Sequence, residues 1–386
     1  MTKKRLLQDT EELTFKKGES DLKGLLLTLK RQKDSDVWRR CYTKEIKVLP
    51  LYDNPIGLPI LREKISIPCD DDVLTESMAG GGLLLEFPLE SKTIVPLRKI
   101  AFSSLCERGH ISGTVLQRMN VDDFCNVINT CLQQYNDSCL VLYRDQKISA
   151  VHSGDESDYS ILSPYLLLSG LLAGLKKSFK DRSSFESGFI THKLVVAKFM
   201  IKDERVMDVY KPFLQKLGYE DLNSFFPLIQ FSTSDVAQCG ANLYPYITNG
   251  PVLIQIGPAL SLHHKRKASI KDFCDNVGKL YSLFLSSVAQ IEKMADIPVK
   301  HPVSCFANIC KKISVSNRYA SDALILFENT VGKESNALEV YIGLWEIITN
   351  MRSNYESEAK IFSMQERIAR VLAMDVKAYD KREELS

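Results

Sequence analysis

The hydrophobic period of this chain changes near Gly257, and that change limits the folds open to it. Before Gly257, segments with strand spacing alternate with helical ones; after it, almost every apolar run has helical spacing. Val252 to Gly257 reads as the last buried strand. Phe273, Val277, Leu280, Phe284 and Val288 then set the stripe of one long helix, Ser269 to Ala295.

Upstream, Lys44 to Leu51, Lys64 to Pro68 and Leu83 to Pro88 read as strands, separated by Asp53-Asn54-Pro55 and Asp70-Asp71-Asp72. Helical spacing runs from Leu97 to Met119 with a break at Gly109, and Asp122 is the expected cap of a helix from Phe124 to Tyr135. Cys139 to Tyr143 and Lys147 to His152 form a hairpin around Arg144-Asp145-Gln146. An apolar helix spans Pro164 to Phe179. Phe189 to Ile201 is a strand or a strand pair bent near His192, and Arg205 to Leu217 is a helix ended by Gly218. Leu228 to Thr233 is a strand. Further helices are expected over Val303 to Ile313, Arg318 to Asn329, Leu338 to Asn350 and Glu358 to Leu372. The fold class is therefore α+β. A polar arm (1–40) leads to a mixed part with antiparallel strands and helices (41–257), then to a mostly helical part (258–386).

At 386 residues, 45% hydrophobic and 25% charged, the chain has the composition of an ordinary soluble protein. Its apolar runs, such as Tyr165 to Leu175, fall short of the ~20 residues of a membrane span. The basic start, Met1 to Leu6, leads into Asp9, Glu11 and Glu12 and not into a signal-peptide core. Cysteines are scattered without a CxxC pair, which points to reduced thiols in the cytoplasm. A net charge of +2 excludes a broadly basic surface, so any anion site must be local.

Most motif-like stretches have plain structural readings. Gly80-Gly81-Gly82 lacks the GxxxxGK[ST] of a phosphate loop and reads as a turn. Leu97 to Met119 has helix-turn-helix spacing, but Ser112-Gly113-Thr114-Val115 offers little to base edges, so a structural helical hairpin is expected. His301, Cys305 and Cys310 do not share one helical face, and no metal or cofactor is expected. His152, Ser153 and Asp155 resemble a nucleophilic set, but sequence neighbours do not make a triad and no GxSxG is present, so a polar turn is expected. A metal-dependent hydrolase or nuclease using His152, Asp155 and Asp235 ranks last among the functions considered, because these carboxylates lack motif spacing.

His263-His264-Lys265-Arg266-Lys267 is the densest cationic cluster. It sits between a strand and a helix start, where backbone N–H groups also favour anions. Nearby, Ser232, Thr233, Asn242, Tyr244 and Tyr246 belong to a hydroxyl-rich stretch. Tied-down turns are the default reading of that stretch. The alternative is a groove in which tyrosines stack on bases beside phosphate-binding cations. The two histidines predict tighter anion binding as pH falls through ~6 to 7.

Ala241-Asn242-Leu243, Leu262-His263-His264-Lys265, Phe273 to Met294, Gly343-Leu344-Trp345 and the hairpin Leu140 to Val151 together resemble the phage/plasmid-like family of unknown function found on bacterial mobile elements. The doubled His263-His264 and the polar N-terminal arm depart from its pattern. The resemblance implies a phage, plasmid or integrative-element setting and no particular activity.

The sequence thus points to a non-enzymatic nucleic-acid-associated protein. His263, His264, Lys265, Arg266, Lys267 and Asn242 would serve a single strand or another phosphate ligand, with Tyr244 and Tyr246 as stacking neighbours. The alternative is a protein-interaction or inhibitory factor meeting a host or element-encoded partner through Tyr341 and Trp345. A homo-oligomer is compatible with either reading.

Overall fold

The computed structural model describes residues 11–51, 65–79, 82–89, 91–111, 115–216, 218–219, 221–250, 253–332 and 335–381. The expectations on Met1 to Leu6, Asp53-Asn54-Pro55, Lys64, Gly80-Gly81, Ser112-Gly113-Thr114, Leu217 and Val252 lie outside the described residues. The chain opens with β1 (Leu13–Phe15), α1 (Glu19–Ser35), β2 (Val37–Tyr42) and β3 (Lys47–Pro50). Then come α2 (Asp71–Ala79), β4 (Leu83–Pro88), β5 (Lys92–Pro96), α3 (Ala101–Arg108) and α4 (Val121–Leu132). The hairpin β6 (Ser138–Arg144) and β7 (Lys147–Ser153) leads to α5 (Pro164–Phe179), β8 (Ser183–Ile190) and β9 (Val195–Ile201). After α6 (Glu204–Lys216) come β10 (Phe226–Thr233), β11 (Ala241–Thr248), β12 (Leu253–Gln255) and β13 (Leu260–Leu262). Helices α7 (Ile270–Val277), α8 (Leu280–Ala295), α9 (Pro302–Lys312), α10 (Asn317–Thr330), α11 (Ala337–Leu344), α12 (Glu346–Ser353) and α13 (Glu358–Ala369) complete the chain, with a two-residue pairing of Pro298–Val299 and Ser335–Asn336.

The main sheet has the order β1-β8-β9-β10-β11-β12, with β13 also on β11, and all its pairings are antiparallel. Strand alternation sends successive side chains to opposite faces. On one face Phe231 meets Phe273 of α7, and Leu25 of α1 lies where a side chain on Gly188 would stand. On the other, Tyr244 meets Phe362 of α13 and Tyr246 meets Trp345 at the α11–α12 junction. Helices thus cover both faces of the main sheet, with the C-terminal part contributing α7 to one face and α11 to α13 to the other, and one apolar core runs from Leu25 to Val376.

A smaller lobe is inserted between α1 and α5. Two three-stranded antiparallel sheets, β2-β6-β7 and β3-β4-β5, are joined by a Leu97–Ile148 bridge and backed by α3 and α4. Val48, Leu85, Leu105, Ile128 and Val141 belong to this second core.

The α+β class, the hairpin and the apolar helix over Pro164–Phe179 agree with the sequence reading. Several local expectations do not. Residues 11–40 are no arm, because β1 pairs with β8 and Leu25 and Leu29 of α1 are buried in the main core. The long helix after Ser269 is two helices broken at Gly278, the weakest helix former in the segment. Leu338 to Asn350 likewise divides at Trp345. Leu97 to Met119 holds one α-helix and a 3-10 turn, Val115–Arg118, in place of a second helix. Asn120, not Asp122, caps α4, its Oδ1 accepting the Asp123 N–H at 2.9 Å. Residues 65–68 form no strand.

Candidate functional site

The basic cluster forms the turn between β13 and α7. Arg266 and Lys267 both take left-handed backbone conformations, with φ of 58° and 59°. The turn is pinned to the segment after β7. Arg266 N–H donates to the Ser157 carbonyl at 2.7 Å, Lys267 N–H to Glu156 at 3.1 Å, and Ser160 N–H to the His264 carbonyl at 2.9 Å. Those amides are therefore not open to an external anion. The start of α7 is occupied too, since Ser269 and Asp272 close a reciprocal capping box. The expected contribution of the helix N-terminus to anion binding is thereby lost. Lys267 faces Asp155, whose carboxyl is held below its ordinary range by the Ser157 N–H and hydroxyl, then by Lys267 and Arg40.

Only His263, His264 and Lys265 of the cluster line the open cavity of about 710 Å³ beside it. Its floor is Asn242 and Tyr244 of β11 with Gln255 of β12. The β10–β11 loop and Asp158 form one side, and Glu366 of α13 with Arg370 at its C-terminal cap the other. Within this groove His263, Lys265 and Arg370 are exposed, whereas His264 is buried. His264 Nδ1 donates to the Ser160 carbonyl at 3.1 Å, so its proton sits on that nitrogen. Burial lowers the pKa of His264, which withdraws it from the expected pH response, and its Nε2 has no partner.

The tyrosines are not stacking platforms. Tyr244 is buried, accepts from Asn242 Nδ2 at 3.0 Å and donates to Glu366 Oε1 at 2.6 Å. Tyr246 is 1% exposed, packs against Trp345 and accepts from Gln230 Nε2 at 3.3 Å. Burial pushes both phenols above their ordinary pKa. The segment taken for turns is in fact strand β11, whose even-numbered side chains face the second helical layer. Gln255, Glu366 and Arg370 escaped the sequence reading. Their only signal is the four-residue spacing of Glu366 and Arg370, which places both on one side of α13.

Between the two lobes lies a buried polar seam. Arg144 binds Asp36 (Nε to Oδ1, 2.7 Å) and makes a two-pronged contact with Asp235 in the β10–β11 loop (Nη1 to Oδ1, 3.0 Å). The Asp235 carbonyl accepts from His152 Nε2 at 3.0 Å and from Tyr159 Oη at 2.8 Å. His152 stacks on Tyr159, which in turn stacks on His264, with ring centroids 3.7 and 5.4 Å apart. The structure thus joins His152 to Asp235, but in contacts that saturate them, while Asp155 stays on an exposed loop. No group of three or more His, Cys, Asp or Glu among the described residues is arranged to hold a metal ion. Hydrolysis by His152, Asp155 and Asp235 therefore has no geometric support. Cys305 and Cys310 are core residues of α9, and the His301 N–H donates to Asp380. Tyr341 and Trp345, expected to form a contact surface, are buried.

No described helix is long and apolar enough to cross a membrane. Comparison with protein-family models, curated proteins and solved structures gave no match.

Proposed function

We propose that the protein is a non-enzymatic nucleic-acid-associated factor that meets the phosphates of a single strand at the rim of the groove. One juxtaposition carries this reading: Lys265 and His263 of the turn and Arg370 just past the end of α13, remote in sequence, border the same cavity. Cations so placed favour a backbone carrying regular negative charge, and they give affinity and salt dependence instead of sequence preference. A phage, plasmid or integrative-element origin is supported by the sequence resemblance alone. A reducing cytoplasm is supported by the free cysteines, most of them buried. The test is fluorescence anisotropy of a labelled single strand across a salt series. Replacing Lys265 and Arg370 by Ala should lower the salt slope by about 1.4. A wild-type chain that binds no strand at low salt ends the reading.

A second reading, a protein-interaction or inhibitory factor, draws on a cavity of about 410 Å³ lined by Leu326, Phe327, Val331 and Ile342 together with Glu339 and Glu346. Leu326 and the adjacent Ile325 are 47% and 59% exposed. A stoichiometric protein partner that survives nuclease and high salt, and is lost in Ile325→Asp, would favour it.

A further inference from the structure

The floor of the groove has a polarity of its own. His264 Nε2 is a lone-pair acceptor, because Nδ1 carries the proton that goes to Ser160. Gln255 spends its amide N–H on the Gly257 carbonyl at 2.8 Å, and its Oε1 is buried without a partner. Glu366, already accepting from Tyr244, adds a carboxylate to the same cavity. Asp158, tied to the Ser153 hydroxyl at 3.0 Å, is the other acid on the wall. Two carboxylates, Glu366 and Asp158, thus line the groove, and its exposed cations are His263, Lys265 and Arg370.

A carboxylate on the groove wall favours a ligand edge that brings hydrogen-bond donors, and an edge that brings further acceptors leaves it unmatched on binding. Building on the single-strand reading above, we infer that the groove takes one nucleotide with its base inward, and that it selects bases whose inner edge offers an exocyclic amine. A cavity of about 710 Å³ falls within the range of ordinary small-molecule sites. Cytosine presents an amine where thymine presents a carbonyl oxygen, and a Glu carboxylate is the natural partner of that amine. Phosphates then lie against His263, Lys265 and Arg370. Glu366 supplies the discrimination.

The two pyrimidines give a clean comparison because they match in size. Oligo-dC and oligo-dT of equal length are titrated into the full-length protein at one fixed salt concentration. The expected result is roughly ten-fold tighter binding of oligo-dC. In Glu366→Gln the new amide donor should narrow that ratio to near unity, while its oxygen still accepts from Tyr244 and preserves the fold. Equal binding of the two strands by the wild-type protein, or an unchanged ratio in Glu366→Gln, overturns the base preference and leaves the phosphate contact standing. Failure of both strands to bind overturns both.

Discussion

Arg144, at the end of a hairpin in the smaller lobe, holds Asp235 of the main-sheet loop through two parallel hydrogen bonds, and both side chains are buried. On its other edge the same guanidinium binds Asp36, between α1 and β2. Burial opposes both carboxylates. For Asp235 burial is the largest single influence, but the Arg144 charge and hydrogen bonds, aided by His264, together overcome it and hold the pKa below its ordinary value, whereas for Asp36 burial wins and the pKa is raised. Arg144→Met leaves two buried acids without their cation and should cost about 3–5 kcal/mol of stability. Urea unfolding followed by circular dichroism measures it. The triple variant Arg144→Met, Asp36→Leu, Asp235→Leu should recover most of the loss, since the uncompensated charges cause the damage.

Histidines give the fold a second sensitivity, to acid. Burial drives the pKa of His152 down to about 4, and burial followed by the Arg98 charge drives His192 down to about 3. An unfolded histidine titrates near ~6.5. Above that pH both states hold the neutral ring and the stabilisation is complete. Between ~6.5 and the folded values the unfolded chain binds more protons, so stability falls as pH falls. The His152 contribution alone amounts to roughly 3 kcal/mol once pH has passed below 4. Denaturation midpoints from pH 7 to 4 should decline steeply, and His152→Phe should flatten that decline.

Gly257 marks the change of hydrophobic period for a packing reason. A β-carbon there would lie 2.2 Å from the Ser287 Oγ and 2.8 Å from its Cβ, so α8 passes directly over the strand end. Gly257→Ala should destabilise by about 1–3 kcal/mol. Ser287→Gly, or Ser287→Ala to a lesser degree, should relieve part of the cost in the double variant, as read by thermal melting.

The five residues of the basic run should separate in binding assays. Lys265→Ala should weaken strand binding, because Lys265 borders the groove. Arg266→Ala with Lys267→Ala should change affinity less than two-fold, since neither lines the cavity and Lys267 faces Asp155. Equal losses from both variants would show that the run acts as a diffuse charge.

The class of fold was legible because it depends on local periodicity. Pro164–Phe179 keeps its helical stripe and Lys147–Ser153 its strand residues whatever surrounds them. Strand β11 was not legible, since its Asn242, Tyr244, Tyr246 and Thr248 take the place that apolar residues hold in an ordinary buried strand. The hydroxyls of Tyr244 and Tyr246 find partners in Glu366, far away in the chain, and in Gln230 on the neighbouring strand β10. The same holds for the site. The charge of His263 to Lys267 was visible, but its division into groove-facing and loop-facing members follows from hydrogen bonds to Ser157 and Glu156 that no local pattern encodes. The seam was hidden for the same reason, because Asp36, Arg144 and Asp235 meet only after two lobes with separate cores dock.

Those hydrogen bonds from the basic turn to Glu156 and Ser157 have a further effect. The groove wall is shared property: Lys265 and His263 sit on a loop fastened to the stretch of chain that leaves the smaller lobe. Loosening of that lobe by heat, acid or a partner slackens the fastening and alters the width of the groove. Groove occupancy is therefore a gauge of whether the inserted lobe is folded and seated. A ligand that fits the groove should raise the melting temperature of the distant hairpin as well as that of the main sheet.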